Sequence, residues 1–351
     1  MRISFGGGGT DLPAYYQQYG GAVLSTAINK YFYTILGRRF DQCIQIISSD
    51  LRVCERWRDF ASLDIQGTSL EIPVAVLKEL DREIFADLFL ASEIPPGTGL
   101  GSSASVCVNV LKTLTTYLQT QLSKLDLAER AFFIARHVLK RHVGKQDEYA
   151  AAFGGLNFIE FVPDGTTRVE PVELNPAVMS DFQSSLLLFF TGAAHHSWGI
   201  LAEQEKSTEE RSRKPIEALH EIKDLAYRMR QSLVDGDLPG FASMLHESWM
   251  AKKKVSSKIS NTHIDRIYET ALENGALGGK ITGAGGGGFL LLFCEPHRQE
   301  SLREALAEHG LKEMSFSFDF QGAHVLVNDP FIDNDERGAS RWTFLPMRSA
   351  G

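Results

Sequence analysis

Between residues 95 and 104 the sequence runs Pro95-Pro96-Gly97-Thr98-Gly99-Leu100-Gly101-Ser102-Ser103-Ala104. Three glycines within five residues permit turns in which successive main-chain N–H groups converge on an anion. A helix-forming segment over 104–119 follows directly, and its first turn adds unpaired N–H donors and the positive end of the helix dipole. A strand, a glycine turn, a serine pair and a helix in this order hold a polyphosphate, which points to a nucleotide-using enzyme. The loop is not a G-x-x-x-x-G-K-[ST] motif, since no such Lys closes it.

Three further segments carry chemistry-bearing residues. Gly283-Ala284-Gly285-Gly286-Gly287-Gly288 contains G-x-G-x-x-G, but the dinucleotide fingerprint needs a helix next and Phe289–Phe293 is plainly strand. A tight turn packed against another backbone or a ligand is the better reading. Gly6-Gly7-Gly8-Gly9-Thr10-Asp11 would weaken any strand. Asp11 there either accepts hydrogen bonds from sugar hydroxyls or caps a helix over 12–19, and both readings stand. Asp147, in Gly144-Lys145-Gln146-Asp147, lies at the start of a short helix and taken alone reads as its cap. His195-His196 lacks the spacing and carboxylates of a zinc site. Neither H-E-x-x-H nor G-x-S-x-G is present.

These segments need elements to position them. Strands are predicted over 22–36, 44–48 and 85–94, with the N-terminal strand broken at Gly6–Gly9. Helices are predicted over 125–139 and 146–153, the latter ended by Gly154-Gly155. Residues 156–162 and 167–174, joined by Pro163-Asp164-Gly165-Thr166, form a hairpin signal. A boundary near residue 180 divides the chain into 1–180, 181–330 and an aperiodic tail, 331–351. In the second part the predicted strands are 185–190, 278–282, 289–294 and 316–327. Its helices are 198–233 (one or two, with Pro215 opening one), 238–248, 264–274 and 298–309. That order implies an α+β fold with an antiparallel sheet.

The 351 residues are 43% hydrophobic and 23% charged, with a net charge of −8. An acidic surface argues against a nucleic-acid partner, and no apolar run approaches membrane-spanning length. No signal-peptide pattern is present, so a cytoplasmic location is the default expectation. Cys43, Cys54, Cys107 and Cys294 are too scattered for metal or redox motifs and suggest reduced thiols. Lys252-Lys253-Lys254 reads as a solvated helix face ahead of a substrate contact.

Three glycine-rich elements in this order, with Asp147 between the second and third, resemble the GHMP small-molecule kinases over nearly the whole chain. The resemblance is strongest to bacterial kinases of D-glycero-D-manno-heptose 7-phosphate. It rests on Arg2-Ile3-Ser4-Phe5 with Gly7–Pro13, on Gly20–Ile28, on Gly144–Asp147 with Tyr149-Ala150-Ala151, on Ser256–Asn261, and on Gly278–Gly288. It implies a two-domain fold with a ferredoxin-like C-terminal domain and the site in the cleft between. ATP and Mg²⁺ are the implied cofactors, and the acceptor a sugar or sugar phosphate, with fucose- and galactose-type acceptors as alternatives. Pro96, Gly97, Thr98, Gly99, Leu100, Gly101, Ser102 and Ser103 would cradle the ATP phosphates, with Ser103 holding Mg²⁺. Asp147 would act as base or orienting group beside the acceptor hydroxyl, steadied by Arg2. Gly8, Gly9, Thr10, Asp11 and Gly285 would meet the substrate, and the 283–288 turn would back the phosphate loop. Lys30 and Lys254 are candidates for an acceptor phosphate. A homodimer is left open. Two positions depart from the family pattern. Ala135 stands where relatives carry a metal-binding Glu, with Glu129 too far away to replace it, and His195 stands where heptose-type relatives carry Arg. The first departure motivates a second hypothesis, a catalytically weak ligand-binding protein on the same scaffold, and the second bears on whether the acceptor is phosphorylated.

Overall fold

The computed structural model describes residues 1–192 and 197–328. The wholly buried Arg2–Gly6 is strand β1, and helix α1 (Pro13–Tyr19) starts on Pro13, whose fixed φ suits a first turn. Strands β2 (Gly21–Ala27) and β3 (Phe32–Arg38) follow. The single strand expected over 22–36 is therefore two. The polar Asn29 interrupts it by exchanging hydrogen bonds with Ser317, and the chain passes from one sheet to another.

Strands β4 (Ile44–Ser48) and β5 (Val53–Trp57) form a hairpin, followed by α2 (Glu71–Leu80), β6 (Ala86–Ser92) and α3 (Ser102–Tyr117). Helix α4 (Lys124–Phe133) runs into one π-helical turn, Ile134–Val138, and then come α5 (Gln146–Phe153), β7 (Leu156–Phe161) and β8 (Thr167–Pro171). Sequence patterning missed β5, an edge strand whose side chains are all at least partly exposed, and α2, whose first turn holds Pro73 where a missing N–H costs little.

The second half comprises α6 (Pro176–Ser184), β9 (Leu186–Phe190), α7 (Ser197–Glu209), α8 (Arg213–Val234) and α9 (Leu238–Lys253). It continues with α10 (Thr262–Glu273), β10 (Ala276–Ile281), β11 (Phe289–Cys294), α11 (Gln299–Glu308) and β12 (Lys312–Glu313). Residue 180 falls inside α6. Residues 193–196, with His195 and His196, and the expected tail lie outside the described residues.

The strands form three sheets, ordered β1-β2-β7-β8, β3-β6-β4-β5 and β10-β11-β9-β12. The first and third are antiparallel, and only the β4–β6 pair is parallel. This matches the expected α+β class. The halves share a core: the rings of Phe5, Phe182, Phe241 and Phe318 meet with centroids 4.9–5.7 Å apart for the Phe5–Phe182, Phe5–Phe241, Phe182–Phe241 and Phe182–Phe318 pairs. Truncating one of them to Ala would cost roughly 3–5 kcal/mol.

The strand expected over 316–327 does not form. Phe318 makes one isolated bridge to Ile28, and the segment is used instead as a clasp on the first sheet. Asp319 donates its N–H to the Ala27 carbonyl and accepts that of Gly155, while Gly322 packs against Gly154. The four cysteines are free, and only Cys54 is exposed. Among the described residues no helix is long and apolar enough to cross a membrane.

Candidate active site

The phosphate-loop reading requires an uncapped helix start. Helix α3 has Gly101 at its N-cap with φ 74°, a conformation that disfavours any side chain, and no side chain caps the helix. The N–H groups of its first turn therefore stay available to a ligand. Pro96, Gly97, Gly99, Gly101, Ser102 and Ser103 line a cavity of about 700 Å³. Thr98 and Leu100 do not. Thr98 is fully buried with its hydroxyl on the Pro95 carbonyl, and Leu100 points into the core.

The turn at 283–288 lies directly behind this loop. Thr282 donates its hydroxyl to the Thr98 carbonyl at 3.4 Å. A Cβ on Gly288 would sit 2.3 Å from that same oxygen, so only glycine lets the two backbones approach so closely. Gly283 and Ala284 reach the cavity, whereas Gly285 packs on Ile259 outside its lining.

Asp147 does not cap its helix. It occupies the first turn of α5, and its Oδ1 accepts a 2.7 Å hydrogen bond from Nε of Arg2. The Arg2 side chain is 5% exposed and that of Asp147 28%, so the cation lies beneath and the carboxylate opens into the cavity. Arg2 also donates Nη1 to the Gly99 carbonyl at 2.5 Å, tying the pair to the 97–103 loop. Charge-assisted bonds of this kind fix geometry better than neutral ones.

Asp11 is buried and lines the cavity, and the α1 cap falls to Leu12 instead. Its carboxylate accepts the Gly9 N–H at 2.9 Å and both the N–H and side-chain amide of Gln146, at 3.2 and 3.1 Å. It thereby joins the first glycine segment to the segment that carries Asp147. Burial and then the nearby Asp147 charge raise its pKa. Gly8 and Gly9 line the same wall, while Thr10 is fully buried and spends its hydroxyl on Gly7 and Ala22.

Lys252, for which the sequence favoured a solvated helix face over substrate contact, is buried in the cavity wall. It lines the cavity at 6% exposure and donates to the Gly8 carbonyl at 3.1 Å. Burial pushes its pKa down to about 8, against the pull of Asp11. The signal was available: Leu245, Ser248 and Lys252 recur at helical spacing, which places one lysine of the triplet on the buried face. Arg141, ion-paired with Glu71, is also in the lining, whereas Lys30 and Lys254 are not, and Lys254 pairs with Glu221. Glu129 is likewise absent from the lining and is engaged by Lys145 and Tyr149.

Comparison with known proteins identifies the family. Residues 71–155 match the family model for the GHMP kinases N terminal domain, and residues 229–312 that for GHMP kinases C terminal. A D-glycero-alpha-D-manno-heptose 7-phosphate kinase from Campylobacter jejuni subsp. jejuni is 32% identical, over 92% of this chain and 96% of its own. The crystal structure of a D-glycero-D-manno-heptose 1-phosphate kinase from Bacteriodes thetaiotaomicron superposes with a TM-score of 0.78 at 29% identity, covering 92% of this chain and 96% of its own. Lactococcus lactis galactokinase, complexed with galactose, shares the fold at a TM-score of 0.70 and 20% identity, over 92% of each chain. This chain therefore belongs to the GHMP kinase family, and is an ATP-dependent kinase.

Proposed function

We propose that this kinase phosphorylates a sugar phosphate, with the anomeric hydroxyl of D-glycero-D-manno-heptose 7-phosphate as the favoured acceptor. The observation that carries the reading is the chain of contacts from Asp147 through Arg2 to the Gly99 carbonyl. It sets a carboxylate, a cation and a phosphate cradle on one cavity wall. The heptose assignment draws its support from the two relatives named for that sugar. An acceptor carrying its own phosphate needs cations, and Lys252 and Arg141 line the cavity for it.

Phosphoryl transfer is mostly positioning and charge neutralisation. The 97–103 loop and the uncapped start of α3 hold the triphosphate. Asp147 orients the acceptor hydroxyl and accepts its proton as the new O–P bond forms to the γ-phosphorus. The bond from that phosphorus to the β,γ-bridging oxygen breaks, and ADP leaves. Arg2 and Lys252 supply positive charge beside the transferring group, and Asp11 keeps the Gly9 and Gln146 segments in register. Residues 1–180 thus carry the nucleotide cradle and the base, and 181–330 close the cleft with Lys252 and the 283–284 turn.

Mg²⁺ is a hard cation that takes oxygen ligands, commonly one or two carboxylates together with phosphate oxygens. Ser102, Ser103, Asp147 and Glu148 bring oxygen donors to the cavity, and Oε2 of Glu148 is buried with no hydrogen-bond partner. Among the described residues no group of three or more His, Cys, Asp or Glu forms a ready-made cage, in keeping with a cation delivered on phosphate. The oxygen donors present fit Mg²⁺, with Ser103 as its expected holder. When bound it would neutralise charge on the β- and γ-phosphates.

The test is a screen of sugars and sugar phosphates for coupled ADP release, with phosphorus NMR locating the new ester. Turnover with heptose 7-phosphate giving a 1,7-bisphosphate supports the assignment. Faster turnover of free fucose or galactose would replace it.

A further inference from the structure

By the resemblance set out above, Ala135 stands where a metal-binding Glu is expected, and Glu148 is the candidate to replace it. Both residues line the same cavity. Asp147 and Glu148 are consecutive in α5, so their side chains diverge by about 100° around the helix. Asp147 takes the direction of Arg2 and Gly101. Glu148 takes that of α3, where its charge acts on the Cys107 thiol. Cys107 lies four residues beyond Ser103, on the same face of α3 one turn deeper. Glu148, Ser103, Cys107 and Ala135 all line this one cavity.

Its condition there is unusual. Glu148 is 2% exposed, and its Oε2 has no hydrogen-bond partner. A buried carboxylate left in that state is costly unless a cation reaches it.

We propose that Glu148 is a carboxylate ligand, direct or through one water, of the divalent cation that accompanies the nucleotide, in place of the side chain that position 135 lacks. This rests on the kinase assignment above.

The test uses Mn²⁺ as probe, titrated by electron paramagnetic resonance into the full chain with the β,γ-imido analogue of ATP, so no turnover is needed. Glu148→Gln keeps the side chain's shape and should melt at or above the parent temperature. It is expected to hold Mn²⁺ about tenfold or more weakly, while binding the analogue without metal as the parent does. Adding Ala135→Glu to that variant should recover most of the loss. Parent-like Mn²⁺ affinity in Glu148→Gln, or in Glu148→Ala scored in the same way, overturns the proposal. A parent chain that takes up neither analogue nor Mn²⁺ overturns the kinase assignment beneath it.

Discussion

The two glycine-rich turns at 97–101 and 283–288 look alike as sequence and pack on each other, yet they lead into different elements. The first turns its main chain toward a ligand cavity, lies in front of the Arg2–Asp147 pair, and opens helix α3. The second, apart from residues 283–284, turns its main chain toward the back of the first and leads into β11. In both, glycine lets the two backbones approach, since a Cβ on Gly99 would lie 2.5 Å from the Thr282 carbonyl and one on Gly288 2.3 Å from that of Thr98, but the first alone opens an uncapped helix. Composition does not tell these uses apart. The element that follows does, since a helix start offers free donors and a strand start has them paired.

The largest expected effect removes the chemistry and leaves both turns intact. Asp147→Asn should lower kcat by about 10³-fold, within the range for loss of a general base, with the KM for ATP little changed. Unaltered turnover would separate the front turn from any catalytic role. Gly288→Ala addresses the rear turn. A Cβ 2.3 Å from the Thr98 carbonyl, on a backbone at φ 91°, should cost roughly 3 kcal/mol in unfolding free energy by denaturant titration. The fraction that folds should retain most of its kcat, and a variant as stable as the parent would contradict the packing described here.

Gly101→Ala tests the front turn in the converse way. The added methyl would lie 3.2 Å from Cγ of Arg2 and 3.4 Å from Cγ of Asp147. Displacing that pair should lower kcat about tenfold, for a stability loss of about 1–2 kcal/mol. If stability falls further than in Gly288→Ala while kcat holds, the contrast between the turns is wrong. The smallest effect concerns pH. With its pKa near 8, Lys252 is cationic below that value and neutral above it, so its charge is lost as pH rises. The kcat/KM for a phosphorylated acceptor should therefore fall severalfold above pH 8. Lys252→Arg, which stays charged, should lack that alkaline limb.

Much of this was legible in the chain. The span of α5, the 156–171 hairpin and the uncapped start of α3 follow from periodicity and punctuation, and the order of motifs led to the family. Side-chain partnerships were not legible. Asp11 and Asp147 each sit where a helix cap is expected, and only tertiary contacts with Gln146 and Arg2 give them other tasks. Lys252 was masked by the two lysines after it, although its register pointed inward. The strand expected at 316–327 failed because its bonds are scattered over the end of β2 at Ala27, loop backbone at Asn29 and Gly155, and the side chains of Asn29 and Gln183, which local pattern cannot report.

That distant pairing has a consequence for biosynthesis. The loop leaving β2 and the Gly154-Gly155 corner obtain their last main-chain partners from residues 317–322. On the ribosome the first half of the chain emerges long before those residues are made. It should stay loosely closed, open to proteases and chaperones, until translation has passed residue 322.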